Sequence, residues 1–243
     1  DPEWTPQTWT QALSQHDGAL TMGIETVNEE VLTACPRLRI CANLSVGYNN
    51  FDVPAMTRHK VLATNAPDVL TETTADFGFA LLMAAARRVT ESERYIRKGH
   101  WQKWALESFA GMAVHGSTLG IIGMGRIGQA VAKRALAFGM RVVYHARTPK
   151  PLPYPFLSLE ELLKEADVVS LHTPLTPETH RLLNRERLFA MKRGAILLNT
   201  ARGALVDTEA LVEALRGHLF GAGLDVTDPE PLPPGHPLYA LPN

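Results

Sequence analysis

A chain of 243 residues is long enough for one large domain or two ordinary ones, and 45% hydrophobic with 20% charged residues is the balance of a globular protein. At that size it buries a core without disulfide or metal support. Twenty-four basic against 25 acidic residues leave a net charge of −1, no electrostatic footprint for nucleic acid or an anionic membrane. The longest apolar run, residues 77–86, stops at Arg87-Arg88, about half of what a bilayer span requires. The opening Asp-Pro-Glu-Trp carries no secretory signal, and Cys35 and Cys41 stand in no metal or redox spacing. These features predict a soluble, cytoplasmic protein with no bound metal.

In chain order, residues 1–70 alternate short strand-like runs (19–22, 38–42, 61–64) with short helical ones (28–34, 52–59). Ser45-Val46-Gly47-Tyr48-Asn49 reads as a loop by composition. An Ala- and Leu-rich stretch then predicts one helix over 71–88. From there strand and helix repeat: strands at 118–122, 141–145, 167–171, 195–199 and 221–226, and helices at 126–138, 159–165, 184–190 and 208–216. Gly139 closes the first of these helices. The strands are almost continuously apolar, as in Val168-Val169 and Ile196-Leu197-Leu198, which parallel strands covered on both faces require. The expected fold is α/β: a Rossmann-type doubly wound parallel sheet over 71–243, and a second, smaller α/β domain over 1–70.

The sharpest local signal is Gly123-Met124-Gly125-Arg126-Ile127-Gly128, placed directly after the strand Leu119-Gly120-Ile121-Ile122 and opening a helix. In that setting Gly123 permits the tight turn, Gly125 lets backbone approach a pyrophosphate, and Gly128 lets the helix pack on the strand. The helix start supplies N–H donors and a positive dipole end for the phosphates. A dinucleotide site is therefore expected. An acidic residue about 20 positions on would bind the ribose 2′-hydroxyl, but residues 141–150 hold no Asp or Glu; Ala146 stands in that place, followed by Arg147 and Thr148. A guanidinium there pairs with a 2′-phosphate and Thr148 adds a hydroxyl, so NADP(H) is favoured, with NAD(H) left open and a solvated surface arginine as the plain alternative.

Five segments in order resemble the D-isomer-specific 2-hydroxyacid dehydrogenases, and within them the glyoxylate/hydroxypyruvate and 2-ketogluconate reductase branch. They are Ser45 through Asp52, Asn65 through Asp76, Gly120 through Gly128, Asn199-Thr200-Ala201-Arg202-Gly203, and Gly223-Leu224-Asp225-Val226 on to Glu230-Pro231. The resemblance implies a flavodoxin-like substrate domain over 1–70 and a dinucleotide-binding domain over 71–243, with dimerisation helices near 71–110. It implies that Arg202 grips an α-keto acid and polarises its carbonyl, and that Glu230 pairs with a catalytic histidine. It implies that Asp225 holds the nicotinamide carboxamide, and that Thr200, Ala201 and residues Met124 to Ile127 line the cofactor. The backbone of Val46 and Gly47 would bind the substrate carboxylate. Taken alone, Glu230 reads as a solvated acid and Trp101-x-x-Trp104 as a pair of structural anchors. The resemblance places a tryptophan at Trp104's position in the partner subunit's site of a homodimer.

The family's proton donor is a histidine in a Pro-His-x-Gly segment shortly after a Leu-Pro-Asn like Leu241-Pro242-Asn243; none of the nine histidines here stands in that setting. A sequence truncated at both ends is therefore expected. The resemblance implies reduction of a small 2-keto acid such as glyoxylate, hydroxypyruvate or 2-ketogluconate to the D-2-hydroxy acid by hydride transfer, in a cleft between two domains. The rival readings are an NAD-dependent member of the formate or phosphoglycerate dehydrogenase type and a non-enzymatic dinucleotide-sensing corepressor.

Overall fold

The computed structural model describes residues 5–105 and 108–243, which divide into two compact units, Asp1–Leu70 and Thr71–Asn243. The first unit runs α1 (Pro6–Leu13), β1 (Gly18–Thr21), α2 (Glu29–Ala34), β2 (Ile40–Asn43), α3 (Val53–Arg58) and β3 (Leu62–Thr64). Its strands form a parallel sheet in the order β1-β2-β3, with Gly18, Ile40 and Leu62 in register. Each helix opens on a short polar side chain: Thr5, Asn28 and Asp52 accept from the N–H groups of Thr8, Val31 and Ala55, the usual way to satisfy orphan donors at a helix start. Leu32, Cys35, Cys41, Ala55 and Met56 are buried together. Both cysteines are free, and burial pushes the Cys41 thiol up to about 11, so it stays protonated and unreactive near neutrality.

The second unit carries α4 (Thr71–Ala86), α5 (Val89–Arg97), β4 (Thr118–Ile122), α6 (Arg126–Ala137), β5 (Arg141–His145), α7 (Leu159–Glu165), β6 (Val168–Leu171), α8 (Arg185–Ala190), β7 (Ile196–Asn199), α9 (Thr208–Leu215) and β8 (Gly221–Leu224). Five parallel strands lie in the order β5-β4-β6-β7-β8. Neighbouring side chains face opposite layers. Ile121 packs in the cluster under α4 and α6, whereas Ile122 packs in the one under α7, α8 and α9. The sheet is thus doubly wound, and the chain reverses direction across it at β4, between β5 and β6. In such sheets ligands bind beyond the carboxyl ends of the strands at that switch point.

Most boundaries shift by one or two residues from the sequence expectation, and two of the shifts bear on the site. The single helix expected over 71–88 ends at Ala86, and a separate α5 begins at Val89. No glycine or proline marks the break. It is made by tertiary contact: the N–H of Met112 donates to the Ala86 carbonyl at 2.8 Å, and Gly111 crosses so close that a Cβ there would lie 2.4 Å from that oxygen. Arg88 takes a left-handed backbone (φ 52°), its guanidinium paired with Glu91 at 2.7 and 2.8 Å. The last strand, expected over 221–226, stops at Leu224. No helix among the described residues is long and apolar enough to cross a membrane.

Candidate active site

The glycine turn sits at the carboxyl end of β4, on the switch point. Gly123 has φ +99° and its Cα lies against the peptide joining His172 and Thr173; a Cβ would be 2.5 Å from the His172 carbonyl carbon and oxygen. At Gly128 a Cβ would be 2.4 Å from the Gly123 oxygen and 3.1 Å from Ile121 Cγ2, so the helix can approach its strand only through glycine. A Cβ on Gly125 would meet nothing within 4 Å. Two glycines are therefore demanded by packing, while the middle one is not; it leaves open space directly before α6. Gly125 is also the N-cap of α6 and supplies no side-chain cap, so the N–H groups of Ile127 and Gly128 are left for an anion. The residues present fit a dinucleotide pyrophosphate. Met124 is buried in the core beneath, so it offers a ligand only its backbone, while Arg126 is exposed and Ile127 half-buried.

At the end of β5, Ala146 is half-buried and Arg147 and Thr148 are exposed. Glu178, in the loop after β6, escaped the sequence reading. Its carboxyl is held below the usual range by the Thr176 hydroxyl, by a backbone N–H and by the charge of Arg147. Arg147 therefore has an acidic neighbour from another strand's loop, a juxtaposition that a linear scan of residues 141–150 cannot show.

Two and three strand spacings from the glycine turn on β4, about 10 and 14 Å across the sheet, the ends of β7 and β8 build the second half of the site. Asn199 is buried; its Oδ1 accepts from the Ala201 N–H at 3.0 Å and its Nδ2 donates to the Arg202 carbonyl at 2.8 Å, clamping the turn between them. Arg202 is half-buried, and its Nη1 donates to the Ala201 carbonyl at 2.7 Å. The next residue, Gly203, lies against the 227–228 backbone: a Cβ would be 2.0 Å from the Thr227 carbonyl carbon and oxygen. That contact ties the Arg202 turn to the segment carrying Asp225 and Glu230. The Thr227 N–H donates to Glu230 Oε2 at 3.1 Å, and Glu230 is exposed. Asp225 lies just past β8. A carboxylate buried at an apolar strand end would need a donor, but β8 ends one residue earlier and Asp225 is exposed. The Thr200 hydroxyl is buried without a partner among the described residues, near Gly78 of α4. Buried polar atoms are normally satisfied, so water or a bound polar group completes this one.

In the first unit, the Ser45–Tyr48 loop follows β2. Its carbonyls are drawn inward: Gly47 O accepts from Asn43 Nδ2 at 2.9 Å and from Ser45 Oγ at 2.6 Å, and Val46 O accepts from Asn65 Nδ2 at 2.8 Å. Asn43 is itself buried and held by the Thr21 hydroxyl (2.8 Å) and Asn50 Oδ1 (3.0 Å). Among the described residues no acceptor takes the N–H of Val46 or of Gly47. Two donors therefore stay available on a loop whose carbonyls are tied back, as a carboxylate site needs. Sequence reading found the loop, with Asn50 and Asn65 only as members of matching segments, and missed how Thr21, Asn43, Asn50 and Asn65 hold it. A neutral amide in a strand or at its edge gives no linear signal. Trp104 lies outside both groupings and is strongly exposed.

Comparison with known proteins joins these observations. The family model for the NAD binding domain of D-isomer specific 2-hydroxyacid dehydrogenases matches residues 79–243, and the model for their catalytic domain matches residues 3–138. A glyoxylate reductase from Korarchaeum cryptofilum is 51% identical over 234 residues, 93% of this chain and 70% of that protein. A crystal structure of a Thermus thermophilus protein superposes with a TM-score of 0.93 at 67% identity, covering 98% of this chain and 77% of that one. The NADPH-dependent glyoxylate/hydroxypyruvate reductase of Sinorhizobium meliloti, solved with NADP and malonate, superposes at 0.88 with 34% identity, covering 98% and 75%. With the glycine turn on the switch point and both family models matched, the chain belongs to the D-isomer specific 2-hydroxyacid dehydrogenase family, as an oxidoreductase of its glyoxylate reductase branch.

Proposed function

We propose that this chain reduces glyoxylate and closely related small 2-keto acids to D-2-hydroxy acids, with NADPH as the preferred reductant. The observation that carries the reading is the placement of an open glycine turn and the Arg202 turn at the same carboxyl edge of one parallel sheet. Residues 71–243 act as the dinucleotide-binding domain and residues 1–70 as the substrate domain. A bound nicotinamide supplies the hydride that adds to the keto carbon. Gly123 to Gly128 hold the pyrophosphate; Thr200, Ala201 and Asp225 lie at the strand ends where the nicotinamide and its carboxamide are held. The planar fork of Arg202 orients the acid and stabilises negative charge developing on the carbonyl oxygen. Val46 and Gly47 offer paired N–H groups to a carboxylate. Glu230 is the acid that, by family resemblance, keeps a proton-donating histidine charged. That proton completes the alcohol.

The loop in the first unit yields a direct expectation. Replacing Asn43 with leucine removes one of the two hydrogen bonds to the Gly47 carbonyl, leaves the Asn50 amide oxygen without its donor, and leaves the Thr21 hydroxyl only its long contact with the Ala42 carbonyl. The KM for the keto acid should rise on the order of 10-fold, from hydrogen bonds worth roughly 1–1.5 kcal/mol, with dinucleotide affinity unchanged. A rise in both constants would take the loop out of substrate binding.

The preference for NADPH rests on Ala146, Arg147 and Thr148, and the NADP complex of the Sinorhizobium relative supports it. In a steady-state assay of the full-length protein with both nucleotides against a keto-acid panel, NADPH should be oxidised faster with glyoxylate. Arg147→Asp should move the NADPH/NADH ratio of kcat/KM on the order of 10- to 100-fold toward NADH, as loss of a charge-assisted phosphate contact entails. An unmoved ratio would remove Arg147 from recognition, and no turnover of either nucleotide would sink the enzymatic reading. By the same resemblance we assign the homodimer surface to residues 71–104, where Phe77, Val89, Ile96, Trp101 and Trp104 leave large apolar side chains exposed.

A further inference from the structure

One titratable side chain beside the cofactor turn has no part in that chemistry. His172 directly follows β6, next to the first glycine of the turn. Its backbone N–H donates to the Ile122 carbonyl at 2.8 Å, prolonging the β4–β6 pairing by one bond. Its Nε2 lies 2.8 Å from Oγ of Ser170, a buried hydroxyl two residues back on the same strand. The peptide following it is the surface on which Gly123 rests. We propose that the Ser170–His172 pair is a positioning device for the dinucleotide: it fixes the plane of the 172–173 peptide and, through it, the seat of the pyrophosphate-binding turn.

Three features support this. The Gly123 Cα is packed so tightly on the His172–Thr173 peptide that a tilt of that peptide must displace the turn. The backbone N–H of His172 is committed to the strand ladder, and its imidazole is held by the Ser170 hydroxyl. Desolvation pushes its pKa down to about 4, so the ring is neutral at working pH, and a neutral strut places no charge beside the phosphates.

The inference rests on the dinucleotide reading of the turn, and the experiment separates the two. Dissociation constants for NADPH and NADH are measured by calorimetry on the full chain for wild type, S170A, H172A, H172Q and the double variant S170A/H172A. Melting temperatures and the KM for glyoxylate at saturating nucleotide are measured alongside. S170A should raise the nucleotide Kd about 3- to 10-fold, the range of one lost hydrogen bond, and H172A at least as much. The double variant should bind no worse than H172A, because both changes remove one device. H172Q, whose amide can reach the Ser170 hydroxyl, should restore affinity to within about twofold of wild type. The glyoxylate KM should not move. Equal nucleotide affinity in S170A and wild type, at whatever melting temperature, would show the pair to be ordinary packing; so would simple addition of the two single effects. A wild-type chain that binds neither nucleotide would instead overturn the reading of the turn itself.

Discussion

Exchanging Arg202 for glutamine is expected to lower kcat/KM for the keto acid by about 10²- to 10³-fold, the range seen when one preorganised donor to a developing oxyanion is removed, with nucleotide affinity within about twofold of wild type. The geometry explains why the effect should be confined. The turn carrying Arg202 is shaped by its neighbours: Asn199 clamps it through Ala201 and the Arg202 carbonyl, and Gly203 seats it on residues 227–228. The Arg202 side chain donates to the Ala201 carbonyl but forms neither of these clamps, so glutamine leaves both clamps standing and removes the charge and the fork. Lysine restores charge without the planar pair of donors, and its activity should fall between the two. Unaltered kcat/KM in R202Q would withdraw the arginine from the reaction and with it the assignment of this sheet edge as the reacting face.

Much of the fold is legible in the sequence because parallel strands covered on both faces must be apolar throughout. Val168-Val169 and Ile196-Leu197-Leu198 are wholly buried, and β4, β5 and α7 begin and end where composition alone places them. What was not legible depends on contacts far away in sequence. The break after Ala86 is set by residues 111 and 112, more than twenty positions on, and nothing in residues 71–97 announces it. The helix α1 was missed for a different reason. It is short and polar, with a capping pair of Thr5 and Thr8 in place of the more familiar Ser/Thr with Glu, so no apolar period reveals it.

The site divides in the same way. Its glycines are legible because turn, close approach and packing each exclude side chains, and the structure gives Gly123, Gly125 and Gly128 three distinct surroundings. The residues that hold the functional groups in place are not. Asn43, Asn199 and Ser170 are buried polar side chains in or at the ends of strands, each read as part of an apolar run or as a boundary. Their partners, Gly47, Arg202 and His172, lie two to four residues along the chain. A short polar residue at the carboxyl end of a parallel strand, followed within four positions by a candidate binding loop, is the pattern that would have found them. Glu178 beside Arg147 has no such pattern, since only the sheet order brings those loops together.

Gly203→Ala is expected to destabilise the second unit by about 3 kcal/mol or more, at or beyond the upper end of ordinary overpacking, and to abolish turnover. The added methyl carbon would stand 2.0 Å from the carbon and oxygen of the Thr227 carbonyl and near the Asp228 nitrogen. All are backbone atoms, so no rotamer change relieves the clash. The 227–228 backbone cannot move alone. Its Asp228 carbonyl accepts from the Thr208 hydroxyl at 2.7 Å, and its Thr227 N–H is held by Glu230. Relief must therefore shift either the Glu230 segment or the Arg202 turn, and each shift separates groups the reaction needs together. In a chain of this size the loss corresponds to a fall in melting temperature on the order of 6–12 °C. Gly217→Ala is the control, because a Cβ there meets nothing within 4 Å; it should leave activity intact and melting unchanged or slightly raised. If G203A melts and turns over like G217A, the contact between the Arg202 turn and residues 227–228 is not what assembles this half of the site.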